Sequence, residues 1–504
     1  MPTPVLDSSK ASTGKTELVQ GLGLLGATTI VMGSMIGSGI FIVAAEIARE
    51  VRSPGLFLVS WVLSAVMTVL AAISYAELAT MMPHAGGQYV YLRESLGPLF
   101  GFLYGWALFL VIQTGTIAAV AVAFGKFLGV FFPWVSEKNL LLNLGSFVVA
   151  GHHFAFAISS EQVIAICVLL GLGVINIFGL RTGALLQNVF TILKVAALLG
   201  IVAVGVWWLA DRKGSAVPSA AGTSFWQGAH WNLTTLTVLL VALVGPLFSS
   251  DAWNNVTFTG SEVKRPSRNL PLALLVGTVT VCSIYFFCNL IYIHVLPLAG
   301  SPQGAGPIAR GVQYAAEDRV ATAVMEVALG SKGTALMAGA IIISTFGCIN
   351  GMSLAGARVY YAMAKDGLFF PSVSRVHPRY HTPAVALLVQ AVWACLLTLT
   401  GTYDELLDYV IFAVMLFYIL TILGLFRLRR TRPDAPRPYR AWGYPVVPGL
   451  YLVLAGATDA ALLLNKSRES AAGLALVALG IPVFYLWRRR AKPHAGTTAL
   501  PSAP

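Results

Sequence analysis

Charge is scarce in this 504-residue chain. Asp, Glu, Lys and Arg together make up 11% of its residues, against about 25% in soluble domains. An ordinary soluble domain is thereby excluded. Cysteine is also sparse. Cys167, Cys282, Cys288, Cys348 and Cys395 all fall within apolar runs, with no CxxC or Cys/His spacing. Neither a zinc site nor a disulfide framework is supported. The first 18 residues are polar and lack the apolar core and cleavage site of a secretory signal. The first apolar run is therefore expected to act as the insertion signal.

Apolar residues dominate instead: 57% of the chain is hydrophobic and the mean hydropathy is +0.77. Runs long enough to cross a bilayer, roughly 20 residues each, occur at about 21–48, 54–81, 98–131, 161–180, 183–210, 231–260, 270–298, 333–364, 383–400, 404–427, 444–464 and 470–487. The expected fold class is an all-α polytopic membrane protein with twelve transmembrane helices. The segment 299–332 between spans 7 and 8 is longer than the other connections, and Gln313–Leu329 has helical apolar spacing.

The net charge of +12 follows from loop composition. Of 33 Lys and Arg, 20 fall on the side of the N-terminus and 10 on the other. Positive residues accumulate in cytoplasmic loops, so both termini are expected in the cytoplasm and the protein in the cell membrane. Nucleic acid is not needed to explain the basic balance.

Two spans are poor helices. Span 1 contains GSMIGSGIF, residues 33–41, where Gly33, Gly37 and Gly39 each cost a helix about 1 kcal/mol relative to alanine. Span 6 contains Pro246, which removes a backbone donor, followed by Ser249, Ser250, Asp251, Asn254 and Asn255. Polar groups at such depth face a cavity or a partner. Close helix packing is an alternative for Gly33 and Gly37, whose spacing is GxxxG. Interruptions five spans apart, however, are a pointer to a transporter site at an inverted-repeat interface. The resulting division is a tail at 1–20, a first five-span repeat at 21–210, a second, inverted repeat at 231–427, spans 11 and 12 at 444–487, and a tail at 488–504.

GSMIGSGIF resembles the first-span signature of the amino acid–polyamine–organocation superfamily. Residues 247–274, LFSSDAWNNVTFTGSEVKRPSRNLPLAL, resemble span 6 of its L-type amino acid transporter family. Residues 344–371 and RPYRAWGYPVVP at 437–448 resemble that family's span 8 and its approach to span 11. The resemblance implies a LeuT-like 5+5 inverted repeat plus two extra helices. It also implies alternating access by a secondary transporter of L-amino acids, with sodium-independent exchange of neutral amino acids as the leading expectation. Proton-coupled uptake and cationic amino acids or polyamines are alternatives. No cofactor is expected. Animal relatives bind a single-span glycoprotein through a cysteine between spans 3 and 4; residues 132–160 contain none, so a disulfide-linked heavy chain is not expected.

An amino acid zwitterion needs donors for its carboxylate and acceptors for its ammonium. A helix restarting at Gly37, Ser38 and Gly39 offers backbone N–H groups at a positive dipole end. By resemblance these take the carboxylate. Carbonyls of Met35 and Ile36, with Phe248, Ser249 and Asp251, are assigned to the ammonium. Phe248 matches the family's aromatic gate, and Asn254 an amide linking span 6 to the substrate network. Asp251 has several readings: pairing with the ammonium, favouring cationic substrates, titrating, or capping the second half of span 6. Lys194 matches a lysine that takes the place of sodium in sodium-independent relatives. Its expected partners are carbonyls near Gly33 or Ile36 and the Ser344 hydroxyl; snorkelling to the surface and proton coupling are the alternatives. Gln113, Thr114 and Asn350 interrupt spans 3 and 8 and face either substrate or neighbouring helices.

Other signals are weak. Gly14-Lys15-Thr16 lacks the earlier glycine of a phosphate loop, and the His152-His153 pair is thin evidence for a metal. Apart from Asp251, the spans gather no His, Asp, Glu or Cys at one depth, so an integral-membrane enzyme is disfavoured. A channel would differ from a carrier by its unsaturable flux.

Overall fold

The computed structural model describes residues 20–149, 152–178, 180–211, 225–227, 229, 232–399 and 403–490. The tail at 491–504, most of that at 1–20 and the Gly14-Lys15-Thr16 signal lie outside them, as do the side chains of His152 and His153.

The helices are α1 Leu24–Met35, α2 Gly39–Ile42, α3 Ala44–Val51, α4 Pro54–Met81, α5 Gln88–Leu96, α6 Pro98–Ala107, α7 Gln113–Leu128, α8 Ser160–Ile177, α9 Leu180–Asp211 and α10 Leu233–Ala242, followed by α11 Val244–Ser249, α12 Asn255–Phe258, α13 Pro266–Val295, α14 Pro307–Arg310, α15 Val320–Leu329, α16 Ser331–Lys365, α17 Ala384–Thr398, α18 Tyr403–Thr431, α19 Val446–Asn465 and α20 Ser467–Arg490. Prolines open α4, α6 and α13, where a missing N–H costs no helical bond.

Among the described residues, ten helices are long and apolar enough to cross a membrane. Leu233–Ser249, Val320–Leu329 and Ala384–Thr398 are shorter apolar helices. The protein is thus a helical polytopic membrane protein, with no large sheet among the described residues. Among the described residues, an antiparallel hairpin, β1 Leu140–Val149 with β2 His152–Ser159, between α7 and α8, adds to the helical expectation. The segment 299–332 contains α14 and α15, the latter covering the second half of the expected amphipathic stretch.

Helix α1 packs against α9, α13 and α16. Its approach to α13 is close: a Cβ on Gly277 would lie 2.5 Å from Val31. Apolar side chains such as Leu464 and Leu336 stay exposed on the outer helix faces, as a lipid-facing surface requires.

Two buried carboxylates tie strands of chain together at one end of the bundle. Glu262 follows α12, and its carboxylate accepts from Arg358 Nε at 2.9 Å. Its backbone carbonyl accepts from the N–H groups of Gly21 and Leu22, both at 3.0 Å. Spans 1, 6 and 8 therefore meet at this residue. Glu77, fully buried at the end of α4, accepts from Arg429 Nε at 3.0 Å and from the Ala441 N–H at 2.7 Å. Arg437 Nε lies 3.2 Å from the same carboxylate. The basic segment 427–440 is anchored through Arg429 and Arg437.

Candidate functional site

Helix α1 stops at Met35, and α2 begins at Gly39. Ending a helix orphans its last four carbonyls. Here each carbonyl from Gly33 to Gly37 receives a side chain from another element. Lys194 Nζ, on α9, donates to Gly33 O at 2.7 Å and Ile36 O at 2.8 Å. Cys348 Sγ, on α16, donates to Ser34 O at 3.2 Å. Tyr285 OH, on α13, donates to Met35 O at 3.0 Å. Ser344 Oγ lies 3.3 Å from Ile36 O and 3.4 Å from Gly37 O. Lys194 has no exposed surface; its head points into the break rather than to either membrane face. The Met35 and Ile36 carbonyls, assigned to a substrate ammonium, each already accept twice from the protein: Met35 O from Tyr285 OH and from the Gly37 N–H at 2.9 Å, Ile36 O from Lys194 and Ser344.

The glycines of the break have separate neighbours. A Cβ on Gly33 would collide with the side chains of Gln187 and Thr191 on α9. One on Gly37 would sit 3.1 Å from Cys348 Sγ, and one on Gly39 would sit 2.9 Å from Ser249 Cα. Gly33 thus serves close helix packing, while Gly39 joins the two interrupted segments. Ser38 is fully buried between them.

In span 6 the interruption does not fall at the proline. Pro246 lies inside α11; it accounts for the kink at Leu243, since it lacks the donor for the Ala242 carbonyl. Helical structure instead ends at Ser249 and resumes at Asn255. Between them Ala252 has φ +63°, a left-handed conformation costing an L-residue roughly 1–2 kcal/mol. Phe248 and Ser249 close α11 and are buried, with Ser249 Oγ donating to Gly245 O at 3.0 Å.

Asp251 does not cap α12, whose N-cap is Asn254. Its Oδ1 accepts from Tyr418 OH on α18 at 2.6 Å. Asn254 Nδ2 donates to Gln88 Oε1 at 2.8 Å, and Gln88 Nε2 in turn reaches Thr421 Oγ1 at 3.1 Å. Tyr75, Trp253 and Tyr418 pack as an aromatic cluster, with the Tyr75 and Trp253 rings 4.8 Å apart. Asp251 lines two small cavities, one with Tyr418, Trp253 and Ser250, the other with Gln88, Gln113 and Asn254. Each is of the order of a single water molecule.

The remaining polar residues serve helix contacts. Gln113 Nε2 donates to Met352 O at 2.7 Å. Thr114 Oγ1 donates to Phe109 O at 2.7 Å, next to the π-helical turn Leu108–Ile112. Asn350 Nδ2 lies 3.5 Å from Gln187 Oε1. The predicted residues therefore form two groups. Gly33, Met35, Ile36, Gly37, Lys194 and Ser344 meet at the span 1 break. Asp251, Asn254 and Gln113 meet at the span 6 cavity. Gly39 and Ser249 join them, whereas Thr114 and Asn350 belong to neither. Sequence reasoning missed Gln88, Gln187, Tyr285, Cys348 and Tyr418. The amides Gln88 and Gln187 carried a signal, being polar groups in apolar surroundings; a tyrosine in a span carries none.

A family model described as amino acid permease matches residues 22–481. The serine/threonine exchanger SteT of Bacillus subtilis (strain 168) is 29% identical over 472 residues, covering 93% of this chain and 97% of that one. The large neutral amino acids transporter small subunit 2 of Rattus norvegicus is 30% identical over 489 residues, covering 95% and 83%. The human b(0,+)-type amino acid transporter 1 is 27% identical over 433 residues, covering 86% and 80%. With a match running through both interrupted spans and nearly to the end of α20, the chain belongs to the amino acid permease family of the amino acid–polyamine–organocation superfamily.

Proposed function

We propose that the protein is a sodium-independent exchanger of neutral L-amino acids, working by alternating access. In this reading twelve spans cross the cell membrane, with both termini in the cytoplasm. Ten form two inverted five-span repeats, with interrupted spans 1 and 6 facing each other. The substrate carboxylate binds the N–H groups of Gly37, Ser38 and Gly39. Its ammonium binds the carbonyls of Met35 and Ile36 in exchange for part of their present bonds, with Phe248, Ser249 and Asp251 on the opposite side. The bacterial relative's name describes exchange of serine and threonine, and the rat relative's name describes transport of large neutral amino acids.

The observation that carries the sodium-independent reading is the seat of Lys194. Its ammonium lies against two backbone carbonyls at the break, with the Ser344 hydroxyl on one of them. A fixed cation there supplies the charge that a bound sodium ion would supply. Replacing sodium chloride by choline chloride is expected to leave amino acid uptake into proteoliposomes unchanged. An uptake that stops without sodium would overturn the reading.

A second reading is favoured by Asp251. Its partner Tyr418 is a neutral phenol, and its carboxylate borders both small cavities. Such a carboxylate suits a cationic side chain. Competition by arginine and lysine, weakened in Asp251→Asn while competition by serine persists, distinguishes this from the neutral reading.

A further inference from the structure

The amide of Gln88 joins three stretches of chain that are distant in sequence. Gln88 opens α5, the short helix between α4 and α6, and has no exposed surface. Its Oε1 accepts from Asn254 Nδ2 at 2.8 Å, in the break of span 6. Its Nε2 donates to Thr421 Oγ1 at 3.1 Å and to Phe417 O at 3.2 Å, both on α18. Thr421 Oγ1 in turn donates to Phe417 O at 2.7 Å. A buried amide bonded in this way fixes its partners relative to one another. Parting any of them leaves a buried polar group unsatisfied, which is costly.

The rest of α5 is tied to neighbouring helix ends. The Gly86 N–H, just before α5, donates to Phe258 O at the end of α12 at 3.0 Å. Tyr89 OH donates to Asp366 Oδ2 at 2.7 Å, just beyond α16, and Arg93 pairs with the same carboxylate. Arg432, just beyond α18, reaches Glu94 at 3.5 Å. Helix α5 therefore bridges the ends of spans 6, 8 and 10, while Gln88 reaches from it to the span 6 break.

Gln88 and Asn254 also border the small cavity that they share with Asp251, Gln113 and Tyr104. That cavity has room for about one water molecule. A larger group entering it beside Asp251 has to displace the Gln88 amide from Asn254 or from α18. A ligand moves a conformational equilibrium only through interactions that differ between the two states. Here the difference is the tie itself, which an entering ligand opposes.

We propose that the Gln88 amide is the catch that makes exchange obligatory. Intact, it holds the span 6 break, α5 and α18 together and prevents the unloaded protein from reorienting; an amino acid in the site releases it. The proposal rests on the exchange reading given above. Gln88 acts through Asn254 and α18 and is thus a positioning residue.

The test uses the full chain in proteoliposomes, loaded in turn with each labelled common L-amino acid. Efflux is followed into buffer with and without the same unlabelled amino acid. The wild type is expected to release label only where amino acid is present outside. Gln88→Leu removes every bond of the amide and is expected to raise efflux into amino-acid-free buffer, relative to exchange, about tenfold. Thr421→Val removes one of the two acceptors on α18 and should raise that ratio roughly threefold. Thr421→Ser keeps the hydroxyl and should return the ratio to the wild-type value. Should Gln88→Leu not reach the vesicles, Thr421→Val decides. A residue that served packing alone would lower both fluxes together. That result, or strict exchange in Gln88→Leu and Thr421→Val, would overturn the catch while leaving the exchange reading standing. A wild type that releases no amino acid, or releases it equally into both buffers, would overturn the exchange reading and this proposal with it.

Discussion

Lys194 concentrates the chemistry of the span 1 break in one side chain. Its ammonium is enclosed and donates to two carbonyls that the end of α1 leaves without helical partners. Removing it strands the Gly33 carbonyl and leaves Ile36 O to Ser344 alone, and a lost hydrogen bond to a charged group costs about 1.5–3 kcal/mol. Lys194→Ala is therefore expected to insert normally but lose more than about tenfold in transport rate; wild-type flux would remove the residue from the mechanism. Gly39 gives a complementary test. A methyl group there would sit 2.9 Å from Ser249 Cα, forcing the two interrupted segments apart. Gly39→Ala should lower flux by more than about tenfold, since overpacking costs typically 1–3 kcal/mol. Gly21→Ala, which meets nothing within 4 Å, should not.

These residues differ in how far the sequence reveals them. A lysine within an apolar run is conspicuous because its charge has to be met, and so are glycines in a helix. Its expected acceptors, carbonyls near Gly33 or Ile36, are the atoms it touches, because a broken helix offers carbonyls in a fixed place. Tyr285 and Cys348, which satisfy Met35 and Ser34, were invisible. Their side chains are common in ordinary helix contacts, and only tertiary geometry brings them to the break.

At the scale of elements, span 6 carries two separate disturbances, a proline kink and a break among polar residues. Pro246 does disturb its helix, through the kink at Leu243, but the helix stops only after Ser249. Polar side chains then take over from backbone bonds: Asp251 to Tyr418, Asn254 to Gln88. The hairpin at 140–159 escaped because its residues lie between two spans and alternate weakly. The ion pair Glu262–Arg358 escaped because its partners are 96 residues apart, a separation no periodicity bridges. Breaking such a buried pair from one side leaves an uncompensated charge, at a cost of about 3–5 kcal/mol. Arg358→Met is expected to lower the melting temperature in detergent markedly, and adding Glu262→Gln should restore part of it. Unchanged melting in the single variant would show that the pair does not hold spans 1, 6 and 8 together.

For the whole molecule, hydropathy carries most of the architecture. Nearly every apolar run is a helix, because a bilayer leaves the backbone few other ways to satisfy its polar groups. Span lengths are less legible. The helix at Ala384–Thr398 is shorter than its apolar run, and α16 extends beyond its own at both ends. How the helices work together as a carrier is a claim about function that hydropathy does not reach. The most direct measurement is efflux of a labelled amino acid from loaded proteoliposomes, with and without a panel of amino acids on the opposite face. Exchange through the Gly37–Gly39 site predicts saturable efflux that requires amino acid outside and is lost in Gly39→Ala. Proton-driven accumulation into empty vesicles, or equal flux in that variant, would contradict it.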